Sequence, residues 1–109
     1  MSDDRLFLTH IQECLKRIAA YTVGGETEFR ASTLVQDAVL RNLQTLAEST
    51  QRLSDPFKAA HSHVDWRGIA GFRNILVHGY LGIDIGRVWA IIERDVPELH
   101  AVVDAALAE

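Results

Sequence analysis

The stretch Gly71-Phe72-Arg73-Asn74-Ile75-Leu76-Val77-His78-Gly79-Tyr80 gathers the side chains of this chain best suited to chemistry. Arginine keeps its charge and offers a rigid fork of donors to an oxyanion. Histidine titrates near neutrality and can take or give a proton. On a helical wheel with ~100° per residue, Phe72 and Leu76 fall within about 60° of Ile69 and define a core face. Arg73 lies about 40° from Ile69 on the same wheel, inside that apolar arc. A guanidinium there needs an anion, a carboxylate or a cleft to point into. Asn74 and His78 sit four apart on the opposite, more polar face. Each residue also has an ordinary structural reading. Arg73 can bend outward to pair with an acid of another helix. His78 can cap a helix C-terminus, where a positive ring is favourable. Tyr80 can be a packed aromatic with its hydroxyl satisfied.

The elements that must hold this segment are helical almost throughout. Asp3 or Asp4 caps a first helix running to about Thr22, with Leu8, Ile11, Leu15, Ile18 and Thr22 along one face. Gly24-Gly25 breaks it. A second helix is expected from near Ser32 to about Leu53, with Val35, Val39, Leu43, Leu46 and Leu53 as its buried stripe. Pro56 opens a short helical piece through about His61. Asp65 is a good N-cap for a third long helix from Trp66 to about His78, and Gly79 falls where a left-handed C-terminal cap would close it. Asp84 caps a fourth helix carrying Ile85, Val88, Trp89 and Ile92. Asp95 and Pro97 read as the N-cap and early-turn proline of a last helix through Ala108. Nothing alternates as a strand. The expected fold is an all-α, antiparallel bundle of about five helices forming one domain over residues 1–109.

Composition narrows the function classes. The chain has 109 residues, 48% of them hydrophobic and 24% charged, the balance of a globular protein. The formal net charge of −4 argues against a nonspecific nucleic-acid coat protein. It does not oppose a small local basic site, because net charge reports long-range steering and solubility. The lone Cys14 lies on an apolar helix face and reads as a buried small hydrophobe rather than a nucleophile. One cysteine is also consistent with a reducing cytoplasm. No basic stretch followed by an apolar run opens the chain, and no apolar run approaches the ~20 residues of a membrane span, so a cytoplasmic protein without signal peptide or membrane anchor is expected.

Arg73, four intervening residues and His78 resemble the signature of the HEPN superfamily, in which asparagine often follows the arginine, as Asn74 does here. The Gly79-Tyr80 extension is similar to the more specific Arg-x4-His-x-Tyr form of the HepT toxins. Gly82-Ile83-Asp84, Val88-Trp89, the helix with Gln36-Asp37-Ala38-Val39-Leu40-Arg41-Asn42-Leu43 and the closing Asp95-Val96-Pro97-Glu98-Leu99 extend the likeness over nearly the whole chain. The resemblance implies a metal-independent endoribonuclease toxin with no cofactor. In it the ribose 2′-hydroxyl attacks the adjacent phosphate of an RNA, tRNA or mRNA, and leaves a cyclic phosphate end. It implies His78 as general base or acid, Arg73 as the stabiliser of charge on phosphorus, and Asn74 as a support that orients the phosphate or His78. It also implies a toxin–antitoxin pair of type VII, in which an MNT-type nucleotidyltransferase antitoxin attaches AMP to the tyrosine of the motif, here Tyr80.

Five residues of ideal helix turn through about 500°, so Arg73 and His78 point about 140° apart. Either the helix unwinds near Val77-His78, as Gly79 would permit, or two protomers share the site across a two-fold axis. The family resembles the second arrangement, so a homodimer is expected with this helix at or near its axis.

Other readings compete. A non-catalytic HEPN module, partner or nucleotide-binding accessory of a nucleotidyltransferase, has the same signature, and the acidic net charge mildly favours it. His61 and His63, with His10 and His100 elsewhere, make only a weak metal motif without a cysteine or carboxylate cluster. No nucleophile-elbow sequence or strand supports a Ser-His-Asp hydrolase. Arg41 can extend a basic groove or, as helix spacing favours, pair with Asp37 four residues earlier.

Overall fold

The structure, a computed structural model, describes residues 2–74 and 84–109. Within them lie six helices and no strand: α1 (Ser2–Tyr21), α2 (Gly25–Ala31), α3 (Thr33–Gln51), α4 (Asp55–Ala60), α5 (Trp66–Ala70) and α6 (Ile85–Ala108). The protein is an all-α helical bundle. α1 and α3 form its central pair, α6 lies along α1, α5 against α3, and α2 bridges α3 and α6.

The stripes anticipated from spacing make the core. Leu8, Ile11, Leu15 and Ile18 of α1 are buried against Val39, Leu43 and Leu46 of α3, with Leu53 just beyond it. The direction of the pair is fixed at its ends. The Asp4 carboxylate accepts from the Ser54 backbone N–H at 2.8 Å and from its hydroxyl at 2.6 Å, so the start of α1 meets the chain just past the end of α3. Arg5 donates to the Leu107 carbonyl at 3.0 Å, setting α6 antiparallel to α1 in the same way. Polar side chains close the helix ends as their types predict. Ser32 accepts from the Val35 N–H at 3.1 Å, and Ser54 from the Phe57 N–H at 3.3 Å.

Three features differ from the sequence expectation. First, Gly24-Gly25 ends α1 as expected, with Gly25 at a φ of 80°, but the chain turns straight into α2. Only Phe29 anchors that seven-residue helix, fully buried with its ring 5.3 Å from that of Trp89, so it has no visible periodicity. Second, the two helices expected on either side of Asp95-Pro97 are one. α6 runs unbroken for 24 residues with Pro97 inside it. Its buried residues Val88, Ile92, Val96, Leu99 and Val103 keep one phase across the proline, while Pro97 itself is exposed. Continuous burial therefore outweighs the hydrogen bond that Pro97 cannot donate. Third, the helix expected from Trp66 to His78 is interrupted at Gly71, which sits at φ −68° and ψ −15°. Helical backbone resumes at residues 72–74, and the remainder of the expected helix, with its Gly79 cap, lies outside the described residues. No described helix is long and apolar enough to cross a membrane.

Candidate functional site: the Arg73 cleft

Local capping and two buried anchors position the segment that carries Arg73. The Asp65 carboxylate accepts from the Gly68 N–H at 2.9 Å and caps α5, as its type and place predicted. The Trp66 indole N–H donates to the Lys58 and His61 carbonyls at 3.2 and 3.0 Å. That bond satisfies the last carbonyls of α4 and fixes where α5 begins. Ile69 and Phe72 are both buried and face α5 and the turn after it toward the core. At Gly71 the backbone tightens: the Asn74 N–H bonds the Gly71 carbonyl at 3.0 Å, three residues back rather than four.

Arg73 follows directly on this turn. An uninterrupted helix would place it in the core arc with Ile69. In the structure it is exposed, as is Asn74, and both line a cleft of ≈ 430 Å³ together with Gln51, Arg67, Ala70 and Gly71. Of the environments a guanidinium could accept, Arg73 has the cleft. Among the described residues no carboxylate lies within ion-pair distance of it; the ion pairs are Arg30–Glu26 and His100–Asp104. His78 and Tyr80 lie outside the described residues. Arg73 and Asn74 are thus the two predicted site residues brought together.

Two polar lining residues were absent from the sequence reading. Arg67 stands seven residues before Asn74, two helical turns, so its spacing was a usable signal. Gln51 comes from the last turn of α3, and only the packing of α5 on α3 brings it near.

On the other side of Gly71 a second cleft of ≈ 350 Å³ runs between α5 and α6 and mixes Arg87 and Arg94 with Asp65 and Asp95. Asp95, expected as a helix cap, is instead half-buried inside α6. Burial pushes its carboxyl above the ordinary carboxylate value; Arg94 opposes this, while Asp65 and Glu98 add to it.

The remaining candidates resolve into structural roles. Cys14 is buried, and burial raises its thiol against the opposing effect of Arg17, as suits a core residue rather than a nucleophile. His61 stacks on Phe57 with ring centroids 4.6 Å apart, and its ring lies 6.2 Å from that of His63. Among the described residues, no three His, Cys, Asp or Glu side chains gather in an arrangement that would hold a metal ion. The expected Arg41–Asp37 pair is not formed: both residues are exposed and no ion pair joins them. An exposed i,i+4 pair gains only ~0.3–0.5 kcal/mol, little against the entropy of fixing two long side chains.

A family model described as "Ribonuclease HepT-like" matches residues 11–106. Among curated proteins, a "Gamma-glutamylcyclotransferase and putative RNase" of Methanocaldococcus jannaschii is 34% identical over 98 residues, 89% of this chain. The chain spans only 44% of that protein's length. A "Putative RNase" of the same organism is 31% identical over 103 residues, covering 94% of each chain. A "Probable ribonuclease HepT" of Thermococcus cleftensis is 30% identical over 95 residues, 85% of this chain and 86% of that one. No solved structure matches. The family match begins on the buried stripe of α1, takes in the whole Arg73 cleft and ends in the last turns of α6, and on it the chain belongs to the HepT-like ribonuclease family.

Proposed function

We propose that this protein is a metal-independent endoribonuclease of the HEPN type and the toxin of a toxin–antitoxin pair. One observation carries the proposal: Arg73 is held out of the core, beside Asn74, at a cleft, with no ion-pair partner among the described residues. An exposed guanidinium with an amide beside it is suited to phosphate oxygens. Family membership supplies the substrate class.

In the proposed reaction a phosphodiester of RNA lies against Arg73. His78 takes the proton of the ribose 2′-hydroxyl, and the 2′-oxygen attacks phosphorus. The bond to the 5′-oxygen of the next nucleotide breaks, and that oxygen receives a proton. The products are a 2′,3′-cyclic phosphate and a 5′-hydroxyl. Arg73 stabilises the charge that builds on the phosphoryl oxygens, where preorganised donors are worth most. Asn74 orients the phosphate or His78. The two proton transfers need a base and an acid, and a homodimer supplies one histidine for each.

Regulation follows from the same electrostatics. An MNT-type nucleotidyltransferase antitoxin attaches AMP to Tyr80. The added phosphate competes for the Arg73 anion site, and the nucleoside blocks the approach of RNA.

The deciding experiment is RNA cleavage by the wild type, Arg73→Ala and His78→Ala, with folding checked by circular dichroism. Loss of the histidine should cost ~10²–10⁴-fold in rate. Cleavage by the wild type in EDTA should be unchanged. Either alanine variant cleaving at the wild-type rate refutes the assignment. A folded wild type that binds a nucleotidyltransferase but leaves tRNA and mRNA intact identifies a non-catalytic module instead. Mass spectrometry after co-expression with the antitoxin should place the adduct on Tyr80, and light scattering should give the mass of a dimer.

A further inference from the structure

The Arg73 cleft differs from its neighbours in charge. Three other clefts are described, and each is lined by at least one carboxylate: Asp4 and Glu109 in one, Asp65 and Asp95 in another, Asp104 in the third. The Arg73 cleft has two arginines and no acid among its described lining residues. In a chain of net charge −4, that gathers two positive charges at one cleft with no acid among its described lining residues. Asp65, the acid nearest in sequence to Arg67, is turned to the Gly68 N–H and lines the second cleft, so it does not neutralise this one.

The spacing of the two arginines sets what they can hold. Arg67 lies in α5, and Arg73 lies in the helical backbone that resumes after the turn at Gly71. Six residues at ~1.5–2.0 Å rise, part α-helix and part tighter turn, separate the roots of Arg67 and Arg73 by ~9–12 Å. Ala70 and Gly71 also line the cleft, and their side chains, a methyl and a hydrogen, leave room for a ligand. Gln51 and Asn74 add amides that give and accept hydrogen bonds without adding charge. The cleft's ≈ 430 Å³ falls within the range of pockets that hold nucleotide-sized ligands. Two arginines, two amides and two small residues lining one cleft suit a run of single-stranded backbone.

We infer that Arg67 is a second phosphate anchor, holding the phosphate next to the scissile one so that the enzyme grips single-stranded RNA across two successive phosphates. This inference rests on the ribonuclease reading above and extends it from one scissile phosphate to the strand. Arg67 acts on binding and register, and Arg73 on the reacting phosphate. Loss of Arg67 should therefore raise KM while leaving kcat near the wild-type value, whereas loss of Arg73 lowers kcat.

The test is the salt dependence of binding to a short, mixed-sequence, labelled single-stranded RNA, with His78→Ala as the background so that nothing is cut. Each phosphate contact contributes about −0.7 to the slope of log K against log salt for a single strand. Arg67→Gln should make the slope shallower by about that amount, Arg73→Ala likewise, and the double variant by their sum. Arg67→Lys should restore the slope, because it returns the charge, but not the full affinity, because the fork is lost. Arg17→Gln removes an equal charge from the exposed face of α1 and should leave the slope unchanged. Arg67 is exposed and its side chain makes no hydrogen bond to another described residue, so Arg67→Gln should keep the thermal midpoint.

A slope unchanged by Arg67→Gln but reduced by Arg73→Ala overturns the inference and leaves the ribonuclease reading standing. A double variant no shallower than either single overturns it as well, because the two arginines would then share one phosphate. A slope insensitive to both, with RNA uncut by the His78-containing protein, removes the ribonuclease reading itself.

Discussion

Replacing Pro97 with alanine should make the protein more stable. Pro97 is the thirteenth of the 24 residues of α6, where it cannot donate to the carbonyl of Glu93 and its ring crowds that oxygen. In a helix interior proline is ~3 kcal/mol less favourable than alanine. Two effects reduce the gain. Alanine gives the unfolded chain more freedom, worth ~0.4–1 kcal/mol. Glu93 and Pro97 are both exposed, so water already serves part of the carbonyl's need. The net expectation is ~1–2 kcal/mol of added stability. At ~4–8 °C per kcal/mol for a domain of this size, the thermal midpoint should rise by ~4–16 °C. Pro97→Gly should fall between the two, since glycine is ~1 kcal/mol less favourable than alanine in a helix. Far-UV circular dichroism melts at matched protein concentration, paired with urea titrations, read the change directly; matched concentration matters because assembly shifts apparent stability. A midpoint unchanged or lowered in Pro97→Ala, with m unaltered, would refute the reasoning. It would mean that the chain needs a break at this position and that α6 is not one strained but continuous helix.

Three further outcomes follow from particular contacts. Asp4 is lowered below its ordinary value: burial acts to raise it, but the hydroxyl and N–H of Ser54 outweigh that, helped by the N-terminal charge and Lys58. A depressed carboxylate contributes stability above its unfolded pKa and loses it as pH falls through the folded one. Asp4→Asn should therefore cost about 1 kcal/mol near pH 7, a charge-assisted bond discounted for partial exposure, and nothing in strong acid, as urea titrations across pH will show. Asp95 has the opposite sign, because its raised carboxyl contributes stability only at low pH and loses it as pH rises through the folded value. Asp95→Asn should stabilise the protein at neutral pH and leave its stability in acid unchanged, measured in the same series. Finally, Gly68→Ala sets a Cβ against the Asp65 carboxylate and displaces the cap of α5. The lost cap costs about 1 kcal/mol and the better helix propensity of alanine returns nearly as much, so the thermal midpoint should barely move while RNA binding weakens, because α5 carries the cleft.

Most of the scaffold was readable from spacing alone. Leu8, Ile11, Leu15 and Ile18, or Val39, Leu43 and Leu46, recur with the helix period, and a side chain that must leave water declares its face in the order of residues. Ser32, Asp65 and Asp84 mark helix starts because a short polar side chain satisfies an orphan N–H two or three residues on, a wholly local bond. The signature around Arg73 was legible for the same reason, since it lies within one short stretch of chain. What spacing could not supply depended on contacts distant in sequence. α2 exists because Phe29 finds Trp89, 60 residues later. α6 stays whole across Pro97 because the rest of the bundle buries both of its halves in one phase. The helix breaks at Gly71, just before Arg73, and the cleft that Arg73 lines includes Gln51 of α3 only because α5 packs beside that helix. Local order specifies which residues prefer helix and which face avoids water. Which faces meet, and what space is left between them, is a property of the packed chain.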